Sequence, residues 1–350
     1  MKKNTVLMLL AILSSTLMIT SCSPTTSTMK GETSALDPVM GDYQGYVVSN
    51  EGAVSPLAVQ VIVLGGKNYG FTIQQYFDQK GDLSFPISVE AQLENGKFIP
   101  TTAGSSSLNL ASFQVTYSDG VVSGRSRMKE AQLFELKHVV RLPPTLGAKP
   151  PTGAVILFDG TTLDGWERRD VKQKGTPVGW KVQDRIAEVT PGTGDIVSKQ
   201  KFSDFQLHLE FRLPVMPEAT GQGRANSGVY LQGRYEVQVL DSYGLKGEDN
   251  ECGGIYKVAR PRVNMCAPPG QWQTYDITFR APRFDQAGKK TKDAELTVLH
   301  NGVLIHENLA VPGPTGGALD EDVTLAGGLL LQDHGNLVQY RNIWLMELKQ

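Results

Sequence analysis

Apolar and polar residues alternate along most of this chain, and that period of two is its main structural signal. Short alternating segments recur at residues 43–48, 57–64, 69–74, 112–117, 121–126 and 132–139. Gly65-Gly66, Glu94-Asn95-Gly96-Lys97 and Ser118-Asp119-Gly120 punctuate them with turn-forming residues. This first part reads as a small β-barrel or β-sandwich. Beyond residue 152 the alternating runs lengthen. In residues 205–213, Leu207, Leu209, Phe211 and Leu213 share one face, while His208, Glu210 and Arg212 share the other. Residues 226–232 and 235–240 likewise send Val229, Leu231, Val237 and Val239 to a core face. Runs at residues 271–279, 294–300, 303–308, 328–332 and 337–348 complete the set, and Asn301-Gly302 between two of them predicts a type I′ hairpin. No stretch requires a helix. The chain is therefore read as all-β, a small barrel or sandwich followed by two packed antiparallel sheets of the jelly-roll kind.

The ends and the linkers divide it further. Lys2 and Lys3 precede an apolar run over residues 5–19 that ends in Thr20-Ser21-Cys22, which predicts a secretory signal over residues 1–21. Ile19-Thr20-Ser21-Cys22 also resembles a bacterial lipobox, in which Cys22 carries the lipid. The expectation is an exported protein, lipid-anchored in the cell envelope, in the periplasm or at the outer membrane. Residues 22–36 are Ser/Thr-rich and read as a flexible tether. The small β domain then covers residues 37–142, and its role is open. A stiff Pro-rich linker, 143–152, separates it from the domain at 153–350.

Charge narrows the partners. The formal net charge is -2, without a run of five like charges, so no nucleic acid is expected and the membrane is met through the anchor alone. Of three cysteines, Cys22 is assigned to the lipid, leaving Cys252 and Cys266 as a pair in an oxidising compartment. They are expected to be bridged, a link of roughly 3 kcal/mol for a loop of this length. Motifs for a serine nucleophile elbow, a phosphate-binding loop, a zinc protease and a dinucleotide site are all missing.

In a sandwich the polar residues that alternate with the core must emerge on an outer face. Asn226, Tyr230, Gln232, Glu236 and Gln238 share that parity if a turn at Gly233-Arg234 joins neighbouring strands, with Asp241 at the strand end. A merely solvated face would more often carry Lys, Glu and Thr, whereas this row of amides, phenol and carboxylate suits sugar hydroxyls. A second polar cluster, Gln332-Asp333-His334-Gly335-Asn336, follows Leu329-Leu330-Leu331. His334 is better placed there for proton exchange than His138, His208, His300 or His306.

Five motifs in order carry a family resemblance. They are Leu157-Phe158-Asp159-Gly160-Thr161-Thr162-Leu163-Asp164-Gly165-Trp166, Asn226-Ser227-Gly228-Val229-Tyr230-Leu231-Gln232-Gly233, Tyr235-Glu236-Val237-Gln238-Val239-Leu240-Asp241-Ser242, Gly270-Gln271-Trp272-Gln273-Thr274-Tyr275-Asp276 and Leu331-Gln332-Asp333-His334-Gly335. Together they resemble the 3-keto-disaccharide hydrolase family, over about residues 154–348. The resemblance implies a concanavalin-like jelly roll and cleavage of a 3-keto glycoside, whose C3 hydroxyl a separate sugar 3-dehydrogenase has oxidised. The C3 carbonyl acidifies the C2 proton; a base removes it, the C1 substituent leaves by β-elimination, and water adds. Carried onto this chain, Glu236 or His334 is the base, Asp241 a partner or ligand, and Arg224 or a bound divalent metal ion the enolate stabiliser. Asn226, Tyr230, Gln232, Gln238 and Gln332 are the further substrate-binding candidates. No cofactor is fixed by the resemblance.

Two other readings stand beside it. The spacing of Glu236, Gln238 and Asp241 echoes retaining glycosidases whose two carboxyls lie about 5 to 5.5 Å apart, although here the central residue is Gln and the last is Asp. The same fold also serves non-catalytic carbohydrate-binding proteins.

Overall fold

The computed structural model describes residues 37–49, 51–74, 87–101, 113–127, 133–170 and 176–349, all within one compact unit, Ala35–Gln350. The expected signal, tether and lipidated Cys22 lie outside the described residues. The described chain is all-β, and its one regular helical element is a 3-10 turn at Gly221–Gly223.

The first part closes into an eight-stranded antiparallel barrel: β1 (Gly41–Val48), β2 (Val54–Val63), β3 (Asn68–Gln74), β4 (Ile87–Glu94), β5 (Lys97–Pro100), β6 (Phe113–Ser118), β7 (Val121–Ser126) and β8 (Leu133–Val139). Each strand pairs with the next, and β8 returns to β1 with Gly45 opposite both Leu57 and Leu136. The inward positions predicted by alternation fill the interior, which is lined by Leu57, Val59, Phe71, Ile73, Val115, Val122, Phe134 and Leu136. Closure leaves no free sheet edge.

The second part is a sandwich. Its strands are β9 (Val155–Phe158), β10 (Trp166–Arg168), β11 (Lys181–Gln183), β12 (Ile186–Glu188), β13 (Ile196–Ser198), β14 (Phe205–Arg212), β15 (Ser227–Leu231), β16 (Tyr235–Val239), β17 (Trp272–Arg280), β18 (Arg283–Phe284), β19 (Lys290–Lys292), β20 (Ala294–His300), β21 (Val303–Val311), β22 (Leu330–Leu331) and β23 (Gln339–Glu347). One sheet runs β10-β13-β22-β15-β16; the other runs β11-β12-β23-β14-β17-β20-β21, with β9 added beside β23. Leu207, Leu209 and Phe211 from one sheet and Val229, Leu231, Val237 and Val239 from the other are buried in the shared core, as the alternation predicts. Asn301 and Gly302 both have positive φ, 52° and 80°, and join His300 to Val303 in the predicted two-residue hairpin.

Two expectations change. His208 and Glu210, predicted on a polar face, are on the outer side of the large sheet but are buried beneath the Pro-rich segment. That segment is fastened down as a strap: Gly147 N–H donates to Glu210 Oε1 (2.6 Å), Thr145 Oγ1 to Asp276 Oδ2 (2.6 Å), and Asn342 Nδ2 to Ala148 O (2.9 Å). His208 Nδ1 lies 2.6 Å from Asp276 Oδ1, and Arg341 Nε donates to Glu210 Oε2 at 2.6 Å. Burial opposes charge on both groups, but hydrogen bonds prevail: His208 is raised by Asp276 and Glu210, and Glu210 is held at about 2 by His208, Asn342 and Arg341.

The expected Cys252–Cys266 disulfide is not formed. Both are buried free thiols. The two thiols hydrogen-bond each other, and Cys252 Sγ also meets the Tyr275 hydroxyl (3.3 Å) and Cys266 Sγ meets Leu240 O (3.6 Å).

Candidate active site

The β15–β16 hairpin sets the site. Its register places Tyr230 opposite Glu236 and Gly228 opposite Gln238. On the other side of β15, Tyr230 is opposite Leu330, which is opposite Val197. Opposed residues in an antiparallel sheet point to the same face, so Val197, Leu330, Tyr230 and Glu236 form one row across the outer side of the small sheet. The adjacent row holds Gly228 and Gln238, and Gln332 joins it by donating its N–H to Gly228 O at 3.1 Å. Asn226, two residues before Gly228, shares the parity. The sequence thus groups Asn226, Tyr230, Glu236 and Gln238 correctly on one face.

Gly228 leaves a gap in the middle of this face. A Cβ there would fall 2.4 Å from Glu236 Oε1 and 2.9 Å from Tyr230 Cε2, so the missing side chain is the space that the carboxyl occupies. Around that gap Gln332 Nε2 donates to the Tyr230 hydroxyl (3.3 Å), and the hydroxyl lies 3.1 Å from Gly316 O and hydrogen-bonds the Glu236 carboxyl. Glu236 is only 2 % exposed. Burial pushes its carboxyl up to about 8; the hydrogen bond with Tyr230 opposes this and the negative charge of Asp195 adds to it. Burial and the nearby Glu236 likewise raise the Tyr230 phenol, which stays protonated.

The face is roofed rather than open. Residues 315–319 cover one end: Thr315 Oγ1 accepts the Glu236 N–H (3.0 Å), Gly317 lies against the Tyr230 hydroxyl, and Leu319 packs on the small apolar cluster of Val197, Tyr230 and Leu330. The 3-10 turn covers the other end. Gln222 Oε1 accepts from Gln238 Nε2 (3.2 Å) and Asn226 Nδ2 (3.3 Å), while Gln222 O takes a second bond from Asn226 Nδ2 (2.8 Å). Asn226 Oδ1 is buried and has no partner among the described residues, an acceptor left available for a hydroxyl donor.

A cleft of about 420 Å³ is lined by Arg169, Asp170, Gly194 and Asp195. Arg169 spans it, with one terminal nitrogen 2.8 Å from Asp195 Oδ2 and the other 2.6 Å from Ala318 O in the roof. Asp195 Oδ1 accepts the Asp333 N–H, and Asp333 Oδ2 accepts the Gly194 N–H, each at 2.9 Å. This reciprocal pair fixes the loop that carries His334, whose side chain is exposed.

Gln232 and Asp241 lie off these two rows. Gln232 has φ 53° at the hairpin turn, which breaks the strand parity, and its amide donates to Phe202 O (2.9 Å) away from the gap. Asp241 lies beyond the strand end, where Arg224 Nε donates to Oδ2 (2.6 Å) and Tyr243 N–H to Oδ1 (3.2 Å). Burial raises Asp241, partly offset by Arg224. Among the described residues no three His, Cys, Asp or Glu side chains converge as metal ligands.

Sequence reading missed Asp195, Arg169, Gln222 and Gly228. Only Gly228 had a legible signal, a glycine inside a strand where a side chain would be expected.

The family described as the 3-keto-alpha-glucoside-1,2-lyase-like domain matches residues 153–346. A crystal structure of a putative glycosyl hydrolase from Parabacteroides distasonis ATCC 8503 is 40 % identical, over 57 % of this chain and 85 % of that one, with a TM-score of 0.51. A second crystal structure from that organism, also of a putative glycosyl hydrolase, is 20 % identical over 56 % of this chain and 95 % of that one, at a TM-score of 0.42. No curated protein matches the chain. With more than half of its length matched, this chain belongs to the 3-keto-alpha-glucoside-1,2-lyase-like domain family of carbohydrate-active proteins.

Proposed function

We propose that this protein cleaves 3-keto glycosides, including 3-keto disaccharides, with Glu236 as the base that removes the C2 proton. The observation that carries the reading is the Glu236 carboxyl itself, buried beside Tyr230 in the gap left by Gly228 and pushed up to about 8. A carboxylate with that affinity for protons is a far stronger base than an ordinary one, and at neutral pH roughly a tenth of it is ionised. The C–H next to a carbonyl needs such a base. Tyr230 orients the carboxyl, and Gln332, which gives one amide hydrogen to the Tyr230 hydroxyl, has a second to offer the developing enolate oxygen. Arg224 is assigned to the substrate as a cationic donor, because its terminal amino groups take no partner among the described residues. Asn226 Oδ1 accepts from a sugar hydroxyl.

The steps balance without an oxidant. Glu236 takes the C2 proton, the electrons form the enolate, the C1–O bond breaks to release the leaving alcohol, and water then adds at C1 while C2 regains a proton. His334, exposed on the loop fixed by Asp195 and Asp333, is assigned to protonating the leaving alkoxide. The substrate's ketone has to be made beforehand by an oxidising enzyme, a sugar 3-dehydrogenase.

A glycosidase using Glu236 and Asp241 is less well supported, because both Asp241 oxygens are already engaged, by Arg224 and by the Tyr243 N–H. A purely binding role gives no account of a carboxyl shifted this far. The test is release of monosaccharide. The wild type should cleave a 3-keto disaccharide and leave the unoxidised sugar intact, and Glu236→Gln should lose at least about a hundredfold in kcat. Full activity in Glu236→Gln refutes the assignment. Export and lipidation at Cys22 belong to the same proposal, supported by Lys2, Lys3 and the apolar run at residues 5–19; a Cys22→Ala protein should lose incorporation of labelled fatty acid.

A further inference from the structure

The barrel grips a loop of the sandwich that reaches the edge of the candidate site. Strand β2 is buried at every position from Leu57 to Val63, on both faces. A closed barrel buries only its inward face, so the outer face of β2 is covered by the sandwich. What covers it is the loop following β16. Gly244 has φ +71°, and a Cβ there would lie 2.2 Å from Ile62 Cδ1, so the barrel wall rests on bare backbone. Thr72 Oγ1 of β3 donates to Gly244 O at 2.8 Å. Asp42 of β1, 1 % exposed, accepts from the Tyr243 hydroxyl (2.9 Å), from Arg141 Nε (2.6 Å) and from Gln60 Nε2 (3.3 Å).

On its other side the same loop holds Asp241. The Tyr243 N–H donates to Asp241 Oδ1, and Asp241 Oδ2 holds Arg224 Nε at 2.6 Å. Arg224 keeps 14 % of its side chain exposed, whereas the Asp241 side chain is fully enclosed. The contacts therefore run without interruption from Asp42 through Tyr243 and Asp241 to Arg224. A phenol anchored on a buried carboxylate fixes the ring, the ring fixes the backbone of its own residue, and that backbone orients the acid that aims the guanidinium.

We propose that Asp42 and Tyr243 are positioning residues for Arg224, so that the barrel sets the orientation in which the sandwich presents this cation to its substrate. The inference rests on the assignment of Arg224 to the substrate made above. It gives the barrel a role that a separate, loosely tethered domain could not have.

The test is a set of double-mutant cycles on the full chain, with kcat and KM measured on a 3-keto disaccharide and melting temperature recorded for every variant. Tyr243→Phe removes one hydroxyl, and Asp42→Asn keeps the acceptor oxygen while removing the charge. Tyr243→Phe should lower kcat/KM about tenfold, through whichever of kcat or KM Arg224→Ala moves, and Asp42→Asn should lower it less. In the Arg224→Ala background neither change should lower it further. Losses that persist in full in that background, or an unchanged kcat/KM in a folded Tyr243→Phe protein, overturn the proposal while leaving Arg224 in place. If Arg224→Ala alone is without effect, the assignment of Arg224 to the substrate fails, and the proposal falls with it.

Discussion

Tyr230 and Glu236 face each other across the β15–β16 hairpin, and the hydroxyl of the one hydrogen-bonds the carboxyl of the other beneath a roof of residues 315–319. In this pair the carboxyl is raised from its ordinary range to about 8. The folded protein therefore holds a proton that the unfolded chain has released between about pH 4.5 and 8, so this group makes stability fall as pH rises through that window, by about 1.4 kcal/mol per pH unit. Glu236→Gln removes the dependence. The variant should melt progressively higher than the wild type from pH 5 to about pH 8, with the gap constant above that, and kcat/KM of the wild type should climb towards pH 8 and level off above it. Parallel melting curves at all pH values would count against the shifted carboxyl.

Gly228 should be intolerant of any side chain. Gly228→Ala puts a methyl where Glu236 Oε1 now sits, and displacing either the carboxyl or the Tyr230 ring costs about 1 to 3 kcal/mol of stability. Because the displaced group is the proposed base, activity should fall far more than stability. Circular dichroism melting and turnover on the same samples separate the two.

Asp195 adds negative charge beside Glu236 and ties the Arg169 cleft to the loop of His334. Asp195→Asn keeps a side-chain acceptor for the Asp333 N–H but removes the charge. The rising limb of the pH–rate profile should move to lower pH, and an unmoved limb would place Asp195 outside the electrostatics of the base.

The strap over the large sheet should be sensitive to acid. Glu210, held at about 2, contributes stability that is present above its ordinary pKa and lost as pH falls from about 4.5 towards 2. Glu210→Gln removes the enclosed charge that the partly exposed Arg341 and the buried His208 are arranged around, so it should destabilise by about 3 kcal/mol at pH 7 and by less at pH 3. Urea unfolding at the two pH values checks this. His208 acts in the other direction: its pKa is raised, so its share is full at low pH and fades as pH rises through the raised value.

Much of this was legible in the alternation. A period of two identified six of the eight barrel strands and the longer strands of the sandwich, though not β4, β5 or the short β9 to β13; it assigned Leu207, Leu209 and Phe211 to the core and gathered Asn226, Tyr230, Glu236 and Gln238 on one face, because strand parity is a local property that the pleat enforces. It failed at Gln232, where a positive φ in the turn rotates the side chain off the row. It also left unseen that the face is covered, since the covering groups lie far along the chain: Thr315 meets Glu236 from 79 residues away, and Gly147 meets Glu210 from 63. Local pattern cannot encode such contacts. The missed Arg169 and Asp195 are of this kind, ordinary charged residues at the ends of β10 and β13 until the sheet brings them beside Tyr230. The two thiols show a related limit: the even count paired them, and they do meet in space, but it does not distinguish a hydrogen-bonded pair of thiols from a disulfide.

Proton removal at C2 is the central claim, and isotope incorporation tests it most directly. Cleavage of a 3-keto disaccharide in deuterium oxide, stopped early and compared with the free 3-keto monosaccharide incubated without enzyme, should give a product carrying solvent deuterium at C2. A product that keeps its original hydrogen at C2, released at the same rate, would contradict it.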